Sequence, residues 1–325
     1  MSRHASTSSK PEPTSKPAAS RASTARHVVI SDEEHQLPYS KGLMASSIMA
    51  TGLAPARAFH VAECIEDRLQ ERRASTITRA ELVELARQTL VDEVGERYAD
   101  SFVSWQVINR VETPLIILIG GATGVGKSTI ATQLAARIGI TRIIPTDAIR
   151  EVMRSMLRDD LLPSLHASSF DEPRTRVPPP PDADPVVIAY REQSSAVAVG
   201  IRALVKRAVA EGTDLVIEGA HVVPGLFDPK EYDEAVLVPF VVTIDDAELH
   251  RSHFMQRGRE SHRGTNRYLR SFDNIRKIQQ YVKSLAMEHD TPIVASYNLD
   301  ATLSQVIDLV VSAAVQAAEP TLRSN

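Results

Sequence analysis

An unbroken apolar stretch that runs directly into a glycine-rich turn limits the folds open to this chain more than any other feature. Residues 115–119 are all apolar, and the turn that follows is Gly121-Ala-Thr-Gly-Val-Gly-Lys127-Ser128. The turn fits the pattern G-x-x-x-x-G-K-[ST], whose backbone N–H groups, with the N-terminus of the next helix, cradle phosphate groups. A continuous apolar stretch is expected for a strand that is buried on both faces of a parallel sheet. Together they predict a strand, a phosphate-binding loop (P-loop) and a helix in succession.

The residue types in this loop also predict which atoms contact a nucleotide. Glycines let the backbone turn tightly and point N–H groups at phosphate oxygens. Lys127 is expected to reach the β- and γ-phosphates as a catalytic residue, and the Ser128 hydroxyl is expected to bind Mg²⁺. ATP and Mg²⁺ are therefore the predicted cofactors. A chance glycine-rich turn is the alternative, and the strand and helix predicted beside it argue against that. The predicted cofactor-binding residues are Gly121, Ala122, Thr123, Gly124, Val125, Gly126, Lys127, Ser128 and Thr129.

From residue 115 onward, strand patterns alternate with helix patterns, which predicts a parallel sheet wrapped by helices. A Pro-rich insertion, residues 162–185, interrupts this alternation, and loops of such length are usually functional or disordered. Further strands are predicted at 141–144, 215–217, 236–244 and 292–295, and helices from 127 and at 147–158, 190–210, 246–257, 267–287 and 303–318.

The chain before residue 113 is predicted to form a tail and a small, mostly helical domain. Residues 1–26 are mainly Ser, Thr, Ala, Pro, Lys and Arg, which predicts a disordered tail. Thr78 and Glu81 fit a capping box, which predicts the start of one helix. Thr113 and Pro114 break the helical pattern, so a second domain is predicted at 113–318. The first domain, 27–110, has a predicted strand at 27–30 and other helices at 41–51, 55–73 and 98–107.

The overall composition argues against several classes of function. The 325 residues carry a net charge of −4, which gives no general attraction to nucleic acid or to acidic membranes. No stretch of about 18 apolar residues is found, so no membrane span is expected. Cys64 is the only cysteine, so an intramolecular disulfide cannot form and a cytoplasmic location is expected. A homo-oligomer is left open.

Charged side chains follow the second predicted strand at the point where it ends. They are Asp147 and Arg150, and ligands of such sheets bind beyond the carboxyl ends of the strands. Asp147 could accept the proton of an acceptor hydroxyl, hold Mg²⁺ or its bound water, or simply cap the next helix. Arg150 could bind an anionic acceptor through two hydrogen bonds. We favour a functional role for Asp147, in catalysis and in substrate binding.

Glu218 and His221 follow the third predicted strand. Glu218 is a second candidate for binding Mg²⁺ or acting as a base, and a solvated strand end is its alternative. His221 could contact an acceptor phosphate, although a lone histidine is more often structural. The predicted metal ligands are Ser128, Asp147 and Glu218, and the predicted substrate-binding residues are Asp147, Arg150, Glu218, His221 and Arg263.

An arginine-rich stretch follows the fourth predicted strand. Residues 257–266 are polar and flanked by glycine, which predicts a mobile lid whose arginines neutralise a transferred phosphoryl group and exclude water. A solvated charged face is the alternative. Arg257 and Arg259 are the predicted catalytic arginines. Residues 251–276 hold seven arginines and only two acidic residues. The arginines are at positions 251, 257, 259, 263, 267, 270 and 276.

Several of these stretches together resemble the 2-phosphoglycerate kinase family. The resemblance covers about residues 113–300 and implies that ATP and 2-phosphoglycerate react to give ADP and 2,3-bisphosphoglycerate. The predicted fold class is accordingly α/β, a P-loop NTPase of the nucleoside-monophosphate-kinase-like type. Plant relatives are linked to inositol phosphates, so another phosphorylated polyol is the alternative acceptor. The resembling stretches are the P-loop, Pro145-Thr-Asp-Ala-Ile-Arg150, Glu218-Gly-Ala-His-Val-Val-Pro-Gly225, Arg267-Tyr-Leu269 and Phe272-Asp-Asn-Ile-Arg-Lys-Ile-Gln279.

Residues 27–110 resemble the ATP-cone, a small regulatory nucleotide-binding domain. The likeness lies in the first strand, in Tyr39-Ser-Lys-Gly-Leu43 and in Ile77-Thr-Arg-Ala-Glu-Leu82. It implies a regulatory nucleotide. However, Ser31-Asp-Glu-Glu34 stands where the cone usually carries basic residues, so a degenerate domain kept for packing is the alternative.

The sequence leaves two functions in competition. One is a small-molecule kinase that acts on a small anionic, phosphorylated acceptor, and the other is a regulatory switch that binds ATP without any acceptor. The predicted lid and Asp147 favour the kinase, because a switch needs neither. A kinase of nucleic-acid ends is disfavoured, because the chain lacks a net positive charge and an extended basic surface with aromatic residues.

Overall fold

The computed structural model of the chain describes residues 29–31, 36–72, 76–108, 113–260 and 265–322. The predicted tail, residues 1–26, lies outside the described residues. The described N-terminal region contains β1 (Val29–Ser31), β2 (Gln36–Pro38), α1 (Lys41–Met49), α2 (Pro55–Glu71), β3 (Thr76–Thr78), α3 (Arg79–Val94) and α4 (Glu96–Ile108).

A small sheet accompanies the helices of this region. Strand β1 pairs antiparallel with β2 and parallel with β3, so the strand order is β2-β1-β3. The sequence predicted only the first of these strands, from the apolar residues at 28–30, and β2 and β3 are three residues long without such an apolar stretch. The capping box is confirmed: Thr78 Oγ1 accepts from the Glu81 backbone N–H, and Glu81 accepts from that of Thr78. The helices share a core of their own that includes Ile48, Ile65 and Leu90.

The rest of the chain forms the predicted parallel sheet wrapped by helices. All the pairings within the five-stranded sheet are parallel, and its order is β5-β6-β4-β7-β8. The P-loop strand β4 lies in the centre, so the loop opens at the middle of the carboxyl edge. The predicted α/β class is confirmed. Its elements are β4 (Leu115–Gly120), α5 (Lys127–Ile138), β5 (Ile143–Pro145), α6 (Thr146–Met156), α7 (Pro185–Ala210), β6 (Leu215–Glu218), β7 (Val236–Thr243), α8 (Ala247–Glu260), α9 (Thr265–Arg270), α10 (Phe272–Glu288), β8 (Ile293–Ala295) and α11 (Leu299–Leu322).

Strand β4 is apolar at every position because both of its faces are covered. Ile117 and Ile119 belong to one buried cluster, whereas Ile116 and Leu118 belong to another. Side chains alternate between the two faces of a strand, so the clusters lie on opposite sides of the sheet. This double burial fixes the position of the loop that follows.

The helices predicted at 267–287 and 190–210 need correction. The helix predicted over 267–287 is two helices, α9 and α10, which meet at Ser271. Phe272 is buried at the start of α10, whereas Arg267 and Arg270 on α9 are exposed. Helix α7 begins at Pro185, five residues before the predicted start at 190, and Asp184 caps it by accepting from the N–H groups of residues 186 and 187. Proline suits this first helical position because it has no N–H to leave unsatisfied.

The Pro-rich insertion between α6 and α7 is irregular, except for one 3₁₀ turn at Pro163–His166. It is nevertheless packed against the body of the protein, since Leu165 and Phe170 are buried. Asn274 of α10 donates to the Phe170 carbonyl at 3.1 Å, and Asp184 lies 2.8 Å from the Lys277 ammonium. The insertion therefore covers one side of the sheet's carboxyl edge.

Helix α11 contains a stretch, Leu299–Ala317, that is long and apolar enough to cross a membrane by length and composition alone. Its residues Leu303, Val306 and Ile307 are fully buried in the main core. Core packing thus accounts for these apolar residues.

The N-terminal helices rest directly on the sheet-bearing part of the chain. Trp105 of α4 is buried in the main core cluster. Arg137, in the last turn of the P-loop helix α5, is 6% exposed and lies 3.5 Å from the Gly52 carbonyl and 3.4 Å from Asp300. Arg97 pairs with Asp308 of α11. The division into domains at 27–110 and 113–318 stays a prediction.

Candidate functional site

The P-loop is held in shape by close packing against α8. Gly124 has a φ of +90°, in the left-handed region, and a Cβ there would lie 2.3 Å from the ring of Phe254. His250 lies 2.8 Å through Nε2 from the Thr123 carbonyl, and His253 lies 3.1 Å through Nδ1 from that of Gly124. Because carbonyls only accept, both ring nitrogens must carry hydrogen. Helix α8 therefore braces the phosphate cradle.

Lys127 occupies the first turn of α5 and is buried. Its Nζ donates to the Ala122 carbonyl at 2.7 Å, so the ammonium lies over the concave side of the same loop. A buried cation beside a ring of N–H groups favours anions. This placement agrees with the predicted contact to nucleotide phosphates, which stays a prediction.

Ser128 and Glu218 come together although 90 residues separate them. The Ser128 hydroxyl donates to Glu218 Oε1 at 2.8 Å, and the Glu218 side chain is buried at the carboxyl end of β6. Two oxygens that bind one Mg²⁺ side by side at about 2.0–2.1 Å are about 2.9 Å apart. The pair fits a magnesium site, and the alternative of a solvated strand end for Glu218 is wrong.

Asp147 lies in the first turn of α6, next to this pair. Pro145 of β5 is in register with Glu218 of β6, so the chain enters α6 beside the Glu218 carboxylate. The side chain of Asp147 is 74% exposed, so it is open to a ligand. The alternative role as a helix cap is wrong, because Pro145 occupies the cap position and no side chain bonds there. Proton transfer by Asp147 and metal binding by it both stay predictions.

Arg150 is largely engaged in holding the insertion. Its Nη1 donates to the carbonyls of Leu165 and Ala167 at 3.0 and 3.2 Å, and its Nη2 donates to Glu151 at 2.7 Å. The guanidinium thus anchors the 3₁₀ turn beside Asp147, whose carboxylate is 3.6 Å from its Nε. Direct binding of an acceptor by Arg150 stays a prediction.

His221 is the centre of a buried hydrogen-bond network. Its Nδ1 lies 2.8 Å from Thr146 Oγ1 and its Nε2 lies 2.9 Å from Gln193 Oε1. The Gln193 amide nitrogen donates to the carbonyls of Ser164 and Ala167. The Gln193 oxygen must therefore accept from His221 Nε2–H, which leaves Nδ1 to accept from the Thr146 hydroxyl. This network supports the structural alternative for His221, and its predicted contact with acceptor phosphate stays untested.

Burial lowers the pKa of His221 to about 4, and nearby Arg150 and Lys127 act in the same direction. Burial likewise lowers the pKa of His250 to about 4. Both rings are therefore neutral at neutral pH, and for His221 the hydrogen bond that Nδ1 accepts requires it. The hydrogen bonds of the His221 network join the turn after β6 to α6, α7 and the insertion. The hydrogen bond of His250 joins α8 to the P-loop.

Acid is expected to destabilise the chain through these two histidines. Their folded pKa values of about 4 lie below the ordinary value of 6.5, so between these pH values the unfolded chain binds protons that the folded chain excludes. The stability that the folded chain keeps while these rings are neutral is complete above pH 6.5. It is lost as the pH falls toward 4. For His221 the full loss is about 3 kcal/mol, at about 1.4 kcal/mol per pKa unit.

Urea unfolding between about pH 7 and pH 5 measures this effect as a falling midpoint. The variant His221→Gln keeps an acceptor and a donor but does not titrate, so its midpoint should fall less steeply. An unchanged wild-type midpoint over this range would contradict neutral burial of the two rings.

Gly219, directly after Glu218, is expected to tolerate no side chain. Its φ is +155°, and a Cβ would lie 1.8 Å from Thr146 Oγ1. Overpacking of this kind costs about 1–3 kcal/mol in addition to the backbone strain. Gly219→Ala should therefore lower the melting temperature and displace the start of α6 with Asp147.

Gly212→Ala is the matched control for Gly219→Ala. Gly212 also has a positive φ, +61°, but an added Cβ would meet nothing within 4 Å. Thermal unfolding should show a larger loss for Gly219→Ala than for Gly212→Ala. Equal losses would mean that backbone strain alone matters and that Thr146 moves away freely.

The predicted arginine lid is only partly described. Helix α8 continues to Glu260, which corrects the prediction of an irregular segment starting at 257. The side chains of Arg257 and Arg259, and Arg263 as a whole, lie outside the described residues, so their predicted roles stay predictions. The other arginines have structural partners. Arg251 stacks on Phe272, Arg267 binds Asp171 of the insertion, Arg270 donates to the Asn266 carbonyl and Arg276 donates to the carbonyls of Ile244 and Asp245.

A cavity beside the P-loop was missed from the sequence. It measures about 380 Å³ and opens between α5, α8 and the segment after β8. The rule that ligands bind beyond strand ends points to the residues after β8. These residues begin 170 positions after Gly126 and form no motif, so nothing in the sequence connects them with the P-loop. The size and position of the cavity fit a nucleoside whose phosphates lie in the loop. Its lining includes Gly126, Thr129, His253, Gln256, Tyr297 and Leu299.

Curated proteins similar to this chain along most of its length share one name. The 2-phosphoglycerate kinase of Methanopyrus kandleri is 35% identical over 314 residues, which cover 96% of this chain and 95% of that protein. That of Methanothermobacter thermautotrophicus is 36% identical over 293 residues, covering 89% and 95%. That of Thermococcus kodakarensis is 37% identical over 282 residues, covering 86% and 96%. No protein-family model matches the chain.

Solved structures give only distant similarities. A gluconokinase from Sinorhizobium meliloti 1021 is 14% identical, with a TM-score of 0.34 and coverage of 66% of this chain and 98% of that one. A putative kinase from Chloroflexus aurantiacus is also 14% identical, with a TM-score of 0.31 and coverage of 60% and 98%. At these TM-scores neither similarity carries weight for fold or function.

Proposed function

The chain belongs to the 2-phosphoglycerate kinase family, and on that premise we propose that it transfers the γ-phosphoryl group of ATP to 2-phosphoglycerate. The products are ADP and 2,3-bisphosphoglycerate. The observation that carries this proposal is the identity of 35% over 96% of the chain with a curated 2-phosphoglycerate kinase. The pairing of the P-loop serine with Glu218 supports it independently, because a magnesium nucleotide requires such a site.

The nucleotide is proposed to lie along the carboxyl edge of the sheet. Its phosphates would be bound by the N–H groups of the P-loop and by Lys127, and its nucleoside would fill the cavity between His253 and Tyr297. Ser128 and Glu218 would hold Mg²⁺. When bound, this ion neutralises charge on the β- and γ-phosphates. The buried network around His221 links Thr146, the residue before Asp147 at the start of α6, to the turn that follows Glu218 and β6.

Asp147 is proposed to act as the general base. The free hydroxyl oxygen of 2-phosphoglycerate attacks the γ-phosphorus, the bond from that phosphorus to the bridging oxygen of ADP breaks, and the hydroxyl proton passes to the Asp147 carboxylate. Its exposure at the N-terminus of α6, beside Glu218, supports this role. The phosphate and carboxylate of the acceptor would be met by Arg150 and by the arginines at 257, 259 and 263.

ADP release with Mg-ATP tests the function across a panel of acceptors. The panel holds 2-phosphoglycerate, 3-phosphoglycerate, glycerate and inositol phosphates. Strong stimulation by 2-phosphoglycerate alone is the expected result. Stimulation by an inositol phosphate instead would keep the kinase and replace the acceptor. ATP binding without stimulation by any acceptor would favour the regulatory switch and overturn the proposal.

A regulatory nucleotide at the N-terminal region stays a prediction. Lys41 is the basic residue of the cone-like stretch at residues 39–43. Its ammonium lies 3.1 Å from Glu66 and 3.6 Å from Glu63. The pKa of Lys41 is raised, chiefly by its hydrogen bond to Glu66. These carboxylates already neutralise the positive charge of Lys41 that a phosphate would bind. This favours the alternative of a degenerate cone domain kept for packing. A cytoplasmic location is also proposed, and a homo-oligomer stays open.

A further inference from the structure

Three side chains of the kinds that bind transition metals meet on the N-terminal helices, away from the P-loop. His60 and Cys64 lie on α2, and Glu93 lies near the end of α3. His60 Nε2 is 3.9 Å from Cys64 Sγ and 3.8 Å from Glu93 Oε2. One ligand atom from each residue lies within 4.8 Å of the other two.

The backbone fixes this arrangement. Residues four apart on a helix lie on the same face, one above the other, so His60 and Cys64 point to one place. Helix α3 packs beside α2, and Arg68 of α2 bonds to Asp92 of α3 at 2.8 Å, next to Glu93. The three ligands therefore come from two rigid helices whose relative position is already set.

The two distances from His60 are close to those of a tetrahedral zinc site, and Cys64 and Glu93 offer ligand atoms within 4.8 Å of each other. Zinc binds histidine nitrogen at about 2.0–2.1 Å, thiolate sulfur at about 2.3 Å and carboxylate oxygen at about 2.0–2.2 Å. In a tetrahedron these bond lengths put the nitrogen about 3.6 Å from the sulfur and about 3.4 Å from the oxygen. The observed 3.9 and 3.8 Å exceed these values by only a few tenths of an ångström. Small side-chain rotations would close the gap.

The charges near the cluster also suit a cation. The carboxylates of Glu93 and Asp67 lie near the Cys64 thiol, and Arg68 is a cation in the same surroundings. A divalent ion would relieve the repulsion between thiolate and carboxylates. Arg57 lies nearby, but its Nη2 donates to the Glu93 carbonyl and so faces the backbone.

We propose that His60, Cys64 and Glu93 form a binding site for one Zn²⁺ ion, with a fourth position open to water. His60 would bind through Nε2, Glu93 through a carboxylate oxygen and Cys64 through its thiolate, whose proton is released to solvent. Three protein ligands with water in the fourth position are the coordination found in catalytic zinc sites. The ion would link α2 to α3 and stabilise the N-terminal region.

Cobalt provides a specific test, because a thiolate bound to Co²⁺ gives a charge-transfer absorption band in the near ultraviolet. Cys64 is the only cysteine in the chain, so this band can report only this site and not the magnesium site. Full-length, tag-free protein is reduced, freed of metal and titrated with Co²⁺ and then with Zn²⁺. The expected result is one band that saturates at one Co²⁺ per chain and disappears when one Zn²⁺ is added.

Three ligand variants and one control complete the test. Cys64→Ser should abolish the band, and His60→Ala and Glu93→Gln should each weaken Zn²⁺ binding by about 10²-fold in competition with a chromophoric chelator. Glu84→Gln is the control, because Glu84 is an exposed acid of the same helix α3. Circular dichroism checks that every variant is folded. No thiolate band in the wild type, or equal Zn²⁺ affinity in the wild type and His60→Ala, would overturn the site.

Discussion

Replacing Lys127 by alanine is expected to lower turnover by at least about 10²–10³-fold, the usual effect of removing one preorganised donor from a transition state. Its ammonium lies within the P-loop, bonded to the Ala122 carbonyl, where the β- and γ-phosphates are expected. Steady-state ADP release with saturating 2-phosphoglycerate measures the loss.

Two further variants separate charge from packing at this position. Lys127 is buried, so alanine also leaves a cavity, whereas Lys127→Met keeps most of the volume and removes the charge. Both variants should be folded by circular dichroism and almost inactive. Lys206→Ala removes an exposed lysine of α7 and should retain normal turnover. Normal turnover by Lys127→Met would exclude this ammonium from the mechanism.

Replacing Asp147 by asparagine is expected to lower kcat by about 10²–10⁴-fold, the usual contribution of a general base. Asparagine has nearly the same shape, so the start of α6 and the neighbouring Glu218 should stay in place. The acceptor KM should change little. Initial rates over a range of 2-phosphoglycerate concentrations separate the two constants.

Whether the substitution changes kcat or the acceptor KM decides the role of Asp147. A raised KM with unchanged kcat would make it a residue that binds the acceptor and not one that acts in the chemical step. Asp160→Asn changes an exposed acid that pairs with Arg158 in the insertion, and both constants should be unaffected.

The central part of the fold could be predicted because its residues have strong individual requirements. A strand buried on both faces must be apolar at every position, and a phosphate loop must carry its glycines, so β4 and the P-loop were evident. Strands β2 and β3 are three residues long and show no such pattern. The start of α7 was hidden because proline is common both in loops and at the first position of a helix.

Part of the candidate site could be predicted for a related reason. The P-loop pattern selected Ser128 and the ends of the predicted strands selected Asp147 and Glu218, and the structure brings Ser128 and Glu218 within 2.8 Å. Gln193 could not be found, because it lies within a long helix and becomes essential only through His221 and the insertion. Contacts between distant segments of this kind leave no spacing pattern in the sequence.

The buried Arg137 has a consequence for how the chain unfolds. Arg137 lies ten residues after Lys127 in helix α5, so about 15 Å separate it from the phosphate loop at the start of the helix. Arg137 Nε has no partner among the described residues, and its other nitrogens face Gly52 and Asp300. Separating the N-terminal helices from α5 would remove the Gly52 carbonyl from Arg137 and would uncover the apolar ring of Trp105. The two halves of the chain should therefore melt in a single cooperative transition, whose midpoint rises when a nucleotide occupies the loop.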